Sequence, residues 1–542
     1  MNTSQITTPI LLLLHIVLFT FFPSKSSSSS SQAEVDALLK WKNSLKPSYS
    51  LNSWSNHTNT CKWHGIQCNK NGLVTQINLP SSSLTGDLNR FNLSLLPNLV
   101  DLDLYNNSLS GKIPKSLFTT SSKLEYLNLS SNSFNGTLSE IFTSAGQSRN
   151  NLQYLDLFNN RLNGPIPSSL PDVLENLIWL ELGSNFFSSN IPPAFGKFTK
   201  LSYLGLSKNH LFGTIPSEIG NILSLTSLDL STNRLSGTIP PTIVNLTKLE
   251  YLQLFTNTLR GKIPDQIGNL RSLMNLEVNI NRLTGTLPDS ICNLRNLIRL
   301  AVSDNHLSGE LPQCLGSKSP RLVDVSVSNN EFSGQLPRTL CKGLALQVLT
   351  TDVNNFSGPL PDCIKYCKNL RRVRLEVNRF SGNIQDTFGN HTKLKFLSLS
   401  KNQFTGEIPR EWGHLLKSIT EIHMSNNGLS GSIPSELGSL AQLHVLDLGT
   451  NRLTGNIPVE LGKLNRLFTL VLVNNLLTGE IPAAVGQLGR LQFLDLSRNN
   501  FNGEIPKDIG SLKSLLSLIV EQANSDNWHD ENNFKKEGER RT

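Results

Sequence analysis

From Leu99 to Pro506 the chain repeats one pattern of hydrophobic and polar positions. In LVDLDLYNNSLSGKIP, Leu102 and Leu104 alternate with Asp101, Asp103 and Tyr105. That period of two predicts a short strand with its leucines pointing inward and the other residues outward. The pattern returns with an asparagine in the same place from Asn107 to Asn499, in steps that are nearly always 24 or 25 residues. An earlier unit carries Val74, Ile77 and Leu79 with Ser82 in the asparagine place, and a later, partial one carries Leu515, Leu518 and Val520. This gives about eighteen units and a partial one over 71–520. The remainder of each unit, such as SEIGNILSL, predicts a short helical or 3₁₀ return.

A unit of this size cannot bury its own leucines. Each buried Leu or Ile contributes about 1.5 to 3 kcal/mol, but only once a neighbouring coil covers it. The strands of successive coils therefore pair in parallel, and at roughly 4.8 Å per strand the inner sheet runs on the order of 85 Å, a surface suited to a peptide or protein. The asparagine stands where the chain leaves the strand, and its amide has donors and an acceptor for the backbone groups that the bend leaves unpaired. Gly111, four positions later, allows a backbone that other residues resist, and Pro114 fixes an extended segment. Ser189 stands in the glycine place, Gln385 and Ser139 in the proline place, and three extra residues fall near Ser144 to Asn151. These are read as local loop changes.

The formal charge of +8 is spread singly among acidic residues, without the basic stripe of a phosphate-backbone binder. The ten histidines also fall singly, with no metal-ligand spacing, no nucleophile constellation and no glycine-rich loop before a helix. The expectation is a chain without catalysis, metal or cofactor. Residues 1–26 carry the apolar run Ile10 to Phe22 before a serine-rich stretch and read as a secretory signal peptide. No later run is long and apolar enough to span a membrane, and 521–542 is a polar tail outside the repeat. Glycan acceptor triplets at Asn56, Asn92, Asn106, Asn128, Asn135, Asn245, Asn355 and Asn390 agree with export to the cell exterior.

Residues 32–70 read as an N-terminal cap. Val35, Leu38, Leu39, Trp41 and Leu45 share one helical face, suited to covering the open core of the first coil. Cys61 and Cys68, seven apart in an exported chain, are expected as a disulfide. Cys292 and Cys341 each lie eleven past their asparagine, and Cys314 and Cys363 each nine past theirs. Identical phase predicts two bridges between neighbouring coils, Cys292 to Cys314 and Cys341 to Cys363. Cys367 is then either buried and free or a rival partner for Cys341.

The ALLKWKNSL helix, CKWHGIQC with Trp63 and Gly65, and the LSGxIP repeats closely resemble the ectodomains of plant leucine-rich-repeat receptor kinases and receptor-like proteins over roughly Gln32 to Val520. The fold this resemblance implies is an α/β repeat solenoid, a right-handed curved superhelix of the plant type with a parallel β-sheet on its concave face and an N-terminal capping helix and disulfide. It also implies an extracellular peptide or protein ligand, with a leucine-rich-repeat co-receptor kinase joining near the last coils. The chain departs from full receptors of this kind in lacking a cysteine pair after the repeats, a membrane span and a kinase domain. It is read as an ectodomain, a truncated isoform or a fragmentary product, secreted to the apoplast, where full-length relatives stand in the plasma membrane. The alternative is a secreted inhibitor of pathogen cell-wall-degrading hydrolases.

The outward strand positions lie six, four and two residues before each asparagine. They carry Tyr154, Phe158, Trp179, Glu181, Tyr203, Tyr251, Phe255, Glu277, Arg299, Asp324, Asp352, Arg372, Arg374, Glu376, Phe396, Glu421 and His423, the expected ligand surface. Alternatively, the aromatics pack on one another as cross-strand neighbours. Asn128 is the one glycan acceptor at such a position, and a glycan there would obstruct the third coil. Arg372 and Arg374 share one strand face with Glu376, and two like charges so close call for an anion between them. Their text resembles the paired-arginine motif with which some plant receptors hold a peptide's terminal carboxylate; the competing reading is a solvated pair steadied by Glu376. Phe468, Val471 and Val473 form an apolar group on the last coils, the expected co-receptor contact.

Overall fold

The computed structural model describes residues 32–119, 123–142 and 151–520. The signal peptide and the polar tail lie outside the described residues, as does most of the Ser144 to Asn151 insertion. Among the described residues no helix is long and apolar enough to cross a membrane.

The leucine alternation produces a twenty-stranded sheet. One strand, Ile66–Cys68, runs antiparallel against Val74–Asn78. From Val74–Asn78 onward each coil contributes one short strand, paired in parallel and in register with the next, as Tyr251–Gln253 pairs with Ser227–Asp229 and Asn275–Glu277. We number the coils from Val74–Asn78 as the first. The sheet lines the concave face, and short 3₁₀ segments such as Ser217–Asn221 and Pro241–Asn245 stack on the opposite side. The core is one continuous column. In the eighth coil Leu249, Leu252, Leu254 and Leu259 are fully buried, and Ile263 and Ile267 nearly so.

Asparagine links each coil to the one before it. Asn257 Nδ2 donates to the Leu254 carbonyl of its own coil (3.1 Å) and to the Leu230 carbonyl of the preceding coil (3.0 Å). Its Oδ1 accepts from the Leu235 amide of that preceding coil at 3.0 Å. The same three bonds recur at Asn305 and Asn475. The residue before each asparagine takes a left-handed backbone, including the β-branched Thr256, Ile280, Val353 and Val377 at φ 54 to 59°. Such residues resist that conformation. Here the bend is held by the ladder itself, because the Ile280 amide donates to the Ser303 carbonyl of the next coil at 2.9 Å.

After the asparagine further parallel strands run along the flank in four segments, and one of the breaks between them falls where the repeat departs from its pattern. The first segment ends at Phe186–Phe187 and the next begins at Phe212–Thr214. Between them stands Ser189, which does not take the left-handed conformation of the glycines in the equivalent place. Where proline is missing, a capped helical turn forms instead. Asn383 accepts from the Gln385 amide, and Thr137 from the Glu140 amide.

The N-terminal helix, α1 (Gln32–Lys42), closes the first coil with Trp41 and Leu38 buried. Trp41, Trp54 and Trp63 form a run of ring contacts at centroid distances of 6.0 and 5.2 Å. Gly65 is required here: its φ is +78°, and a Cβ would strike the carbonyl oxygen of Asn78. Cys61 bonds to Cys68 and Cys292 to Cys314. The expected Cys341 to Cys363 bridge is not the one formed: Cys341 bonds to Cys367, with Cα atoms 5.9 Å apart, and Cys363 is a free, half-buried thiol. The chain after Cys341 explains the difference. There the Leu344 amide bonds back to the Cys341 carbonyl and Leu344 adopts φ +54°, a turn absent after Cys292. Cys341 and Cys367 are both buried in the core, whereas Cys363 is only half-buried.

Replacing Asn257 by Ala removes both donors and the acceptor together. At about 1 to 3 kcal/mol for each buried group left unpaired, the loss should be roughly 2 to 4 kcal/mol. Thermal unfolding should show a clear fall in Tm, and an unchanged Tm would remove the ladder from the account of stability.

Candidate concave ligand surface

The outward residues stand in three columns along the sheet, one residue per coil in each. The column six before the asparagine carries a run of aromatics that the pattern brings face to face. Tyr126 stacks on Tyr154 at 4.3 Å, Tyr154 on Trp179 at 5.5 Å, and Trp179 on Tyr203 at 3.7 Å, with interplanar angles of 16° or less. Tyr154, Trp179 and Tyr203 thus spend their ring faces on one another as cross-strand neighbours and present edges to the concavity. Tyr126 belongs to this run and is missing from the expected surface, although its place six before Asn132 carried the signal. Tyr251 stands outside it, its hydroxyl near Met274 Sδ at 3.8 Å. Phe158 and Phe255 are half-buried in the column two before the asparagine.

The middle column has a structural task that its outward phase did not reveal. Asp103 and Asp156 accept the amide two residues on at 2.9 Å, and Glu181 does so at 2.6 Å. Asn128 belongs to this set. Its Oδ1 accepts from the Ser130 amide and hydroxyl, and the side chain is buried. In the folded chain this amide is therefore withdrawn from the concavity. The other seven glycan acceptors are exposed.

Burial raises the carboxyls of the N-terminal half. Asp101 is pushed up to about 7 by burial, assisted by Asp103, and one of its carboxylate oxygens has no hydrogen-bond partner. Burial, with Asp156 nearby, raises Glu181, which accepts from the Tyr203 hydroxyl at 2.7 Å. Burial likewise raises Asp156 and Asp229.

Further along, arginines enter and bind acids. Arg299 lies between Asp324 at 3.3 Å and Glu277 at 3.8 Å. Arg374 donates from Nε to Glu376 at 2.8 Å, and its guanidinium also meets Asp352 at 3.0 Å. Asp352 is buried and its side chain also accepts the Ser328 hydroxyl. Arg372 differs. It is exposed, forms no ion pair among the described residues, and lies over the Phe396 ring at 4.2 Å. His423 follows, its ring 5.5 Å from Phe396 and its Nε2 3.2 Å from Glu421. The paired arginines are thus unequal: two carboxylates hold one and an aromatic face supports the other.

On the last coils Val471 and Val473 are half-buried. Both lean on Gly449 of the preceding coil, where an added Cβ would meet their methyls at 3.2 and 2.8 Å. Phe468 stands to the side, stacked on His444 at 5.1 Å.

An acid whose folded-state pKa is raised supplies stability below its unfolded pKa, and that stability is lost as pH rises through the folded value. For Asp101 the window runs from 3.8 to about 7. Tm should therefore be higher at pH 5 than at pH 8, and Asp101→Asn with Glu181→Gln should narrow the difference. A difference that survives both substitutions intact would exclude these carboxyls as its source.

The chain matches known proteins along most of its length. Residues 31–69 match the family described as "Leucine rich repeat N-terminal domain", 188–411 "Leucine-rich repeat region", and six further segments between 98 and 512 "Leucine Rich Repeat". Receptor-like protein kinase 5 of Arabidopsis thaliana is 35% identical over 193 residues, 35% of this chain and 16% of that protein. Receptor-like protein kinase HAIKU2 of the same plant is 35% identical over 33% of this chain and 19% of its own length. The matched stretches thus span less than a fifth of these relatives. Among solved structures, the ectodomain of the Arabidopsis receptor kinase HAESA in complex with an IDA peptide hormone is 33% identical, with TM-score 0.66, covering 90% of this chain and 93% of that one. The plant peptide hormone receptor RGFR1 in complex with RGF2 is 30% identical, with TM-score 0.72, covering 85% and 83%. With its capping helix, asparagine ladder and concave parallel sheet, this chain belongs to the family of plant leucine-rich-repeat receptor ectodomains.

Proposed function

We propose that this chain is an extracellular ligand-perceiving module that takes a linear peptide along its concave face from about Tyr154 to His423, with the peptide's terminal carboxylate at Arg372. The observation that carries the reading is the inequality of the two arginines. Arg374 is already neutralised by Asp352 and Glu376, so the anion site is Arg372, exposed and steadied from below by Phe396. Guanidinium suits the task because its planar fork stays charged and meets a carboxylate with two parallel hydrogen bonds. The complexes of HAESA with IDA and of RGFR1 with RGF2 support a peptide as the ligand class.

Hydrogen bonds to a charged group contribute about 1.5 to 3 kcal/mol, so Arg372→Ala should weaken binding roughly tenfold to a hundredfold. The probe is the tightest peptide recovered by panning free-acid linear peptides on the immobilised chain, titrated by calorimetry. Amidating its terminus should mimic the substitution, and the two changes together should be less than additive. Arg374→Ala should instead lower Tm, because it leaves the buried Asp352 charge uncompensated. Equal affinity of wild type for free-acid and amidated peptide would remove the carboxylate clamp.

The reading extends to the last coils, where Phe468, Val471 and Val473 offer an apolar contact for a co-receptor. Support comes from the solved complex of HAESA with IDA and the co-receptor SERK1. Val471→Asp with Val473→Asp should abolish peptide-dependent capture of a SERK1 ectodomain. Capture that persists with secretion unchanged would place the co-receptor elsewhere.

A further inference from the structure

The thirteenth coil, which carries Arg372, is reached through a cluster of three cysteines. Cys341 and Cys367 form its disulfide, and Cys363 is left as a half-buried thiol. The Cys341 backbone is near enough to the Cys363 sulfur to act on its thiol. The free thiol therefore stands beside one of the two bonded cysteines.

The chain contains its own template for the other pairing. Cys292 and Cys314 are separated by 22 residues and are bonded with Cα atoms 5.7 Å apart. Cys341 and Cys363 have the same separation and the same phase relative to their asparagines. The backbone turns that carry the cysteines also correspond, pair by pair. The Ile291 amide bonds to the Pro288 carbonyl and the Leu340 amide to that of Pro337, while Leu315 bonds to Pro312 as Ile364 does to Pro361. The turn after Cys341 directs its sulfur to Cys367, but nothing in the preceding backbone takes it out of reach of Cys363.

We propose that Cys341, Cys363 and Cys367 form an exchangeable disulfide centre, in which the crosslink moves between Cys341–Cys367 and Cys341–Cys363. The step needs no external oxidant or reductant. Cys363 loses its proton to solvent, and its thiolate forms a bond to the Cys341 sulfur. The Cys341–Cys367 bond breaks with its electron pair on the Cys367 sulfur, which then takes up a proton. Burial pushes the Cys363 thiol up, so exchange is slow near neutrality and faster in alkaline solution.

The two crosslinks hold different points of the return segment. Cys367 closes the 3₁₀ segment Asp362–Tyr366, and its carbonyl meets Nδ1 of the buried His391 in the next coil at 3.2 Å. It lies five residues before Arg372. Bonded through Cys367, the crosslink sits at the end of this segment, five residues before the strand of the concave face. Bonded through Cys363, it sits four residues earlier and leaves a buried thiol at Cys367. The exchange thus moves the crosslink along the return segment that leads to the Arg372–Arg374 strand.

Trypsin separates the three cysteines at Lys342 and Lys365, so each pairing yields distinct crosslinked peptides. The secreted full chain is held at pH 8.5 without added thiol, sampled over a day, alkylated with N-ethylmaleimide, acidified and digested without reduction. A Cys341–Cys363 species with its free thiol at Cys367 should accumulate, and the native-state label on Cys363 should fall in step, because Cys367 is buried. The presence of Cys341–Cys367 alone at every time would overturn the proposal. In Cys367→Ser, alkylation after denaturation should find no free thiol, against one in wild type, because Cys341 closes on Cys363. Two free thiols in a variant that is secreted normally would also overturn it.

Discussion

Every coil of this molecule is unstable alone and complete only against its neighbours. Leu252 and Leu254 are fully buried because the strands on either side cover them. Asn257 satisfies two carbonyls and one amide, two of these three partners belonging to the preceding coil. Burial and hydrogen bonding therefore both act between coils, and the chain has no independent core in any one of them. The same dependence lets Thr256, Ile280 and Val377 hold a left-handed backbone that they would avoid in isolation.

The concave face inherits this arrangement. Because the strands are in register, outward side chains fall into columns with a fixed neighbour in each direction, and each column solves its own contacts first. Aromatic rings stack from Tyr126 to Tyr203, carboxylates such as Asp156 cap the amide two residues on, and Arg374 bridges Asp352 and Glu376. On the proposed reading a ligand takes the part of the face that these contacts leave over, and Arg372, supported by a ring and forming no ion pair among the described residues, is its clearest charged element.

This division explains what could be read from the sequence. The alternation of Leu102 and Leu104 with Asp101 and Asp103 gave the strand and its inward side, and the asparagine spacing gave the count of coils, because a period-two pattern and a fixed repeat are local signals. Cys292 with Cys314 followed from phase alone. Cys341 did not, since a single left-handed residue, Leu344, redirects a sulfur without altering the repeat. The roles of Asp156 and Asn128 were also illegible, because being outward on a strand does not say whether a short polar side chain folds back onto its own backbone. Asp352 as a partner of Arg374 is a contact between neighbouring coils of the kind that only the register reveals.

The concave face as ligand surface is tested most directly by hydrogen exchange on the chain with and without the tightest panned peptide. The account predicts slowed exchange confined to the inner strands between Tyr154–Asp156 and Glu421–His423, strongest at Arg372–Arg374 and its neighbours. Protection on the 3₁₀ side of the coils, with the inner strands unchanged, would contradict it.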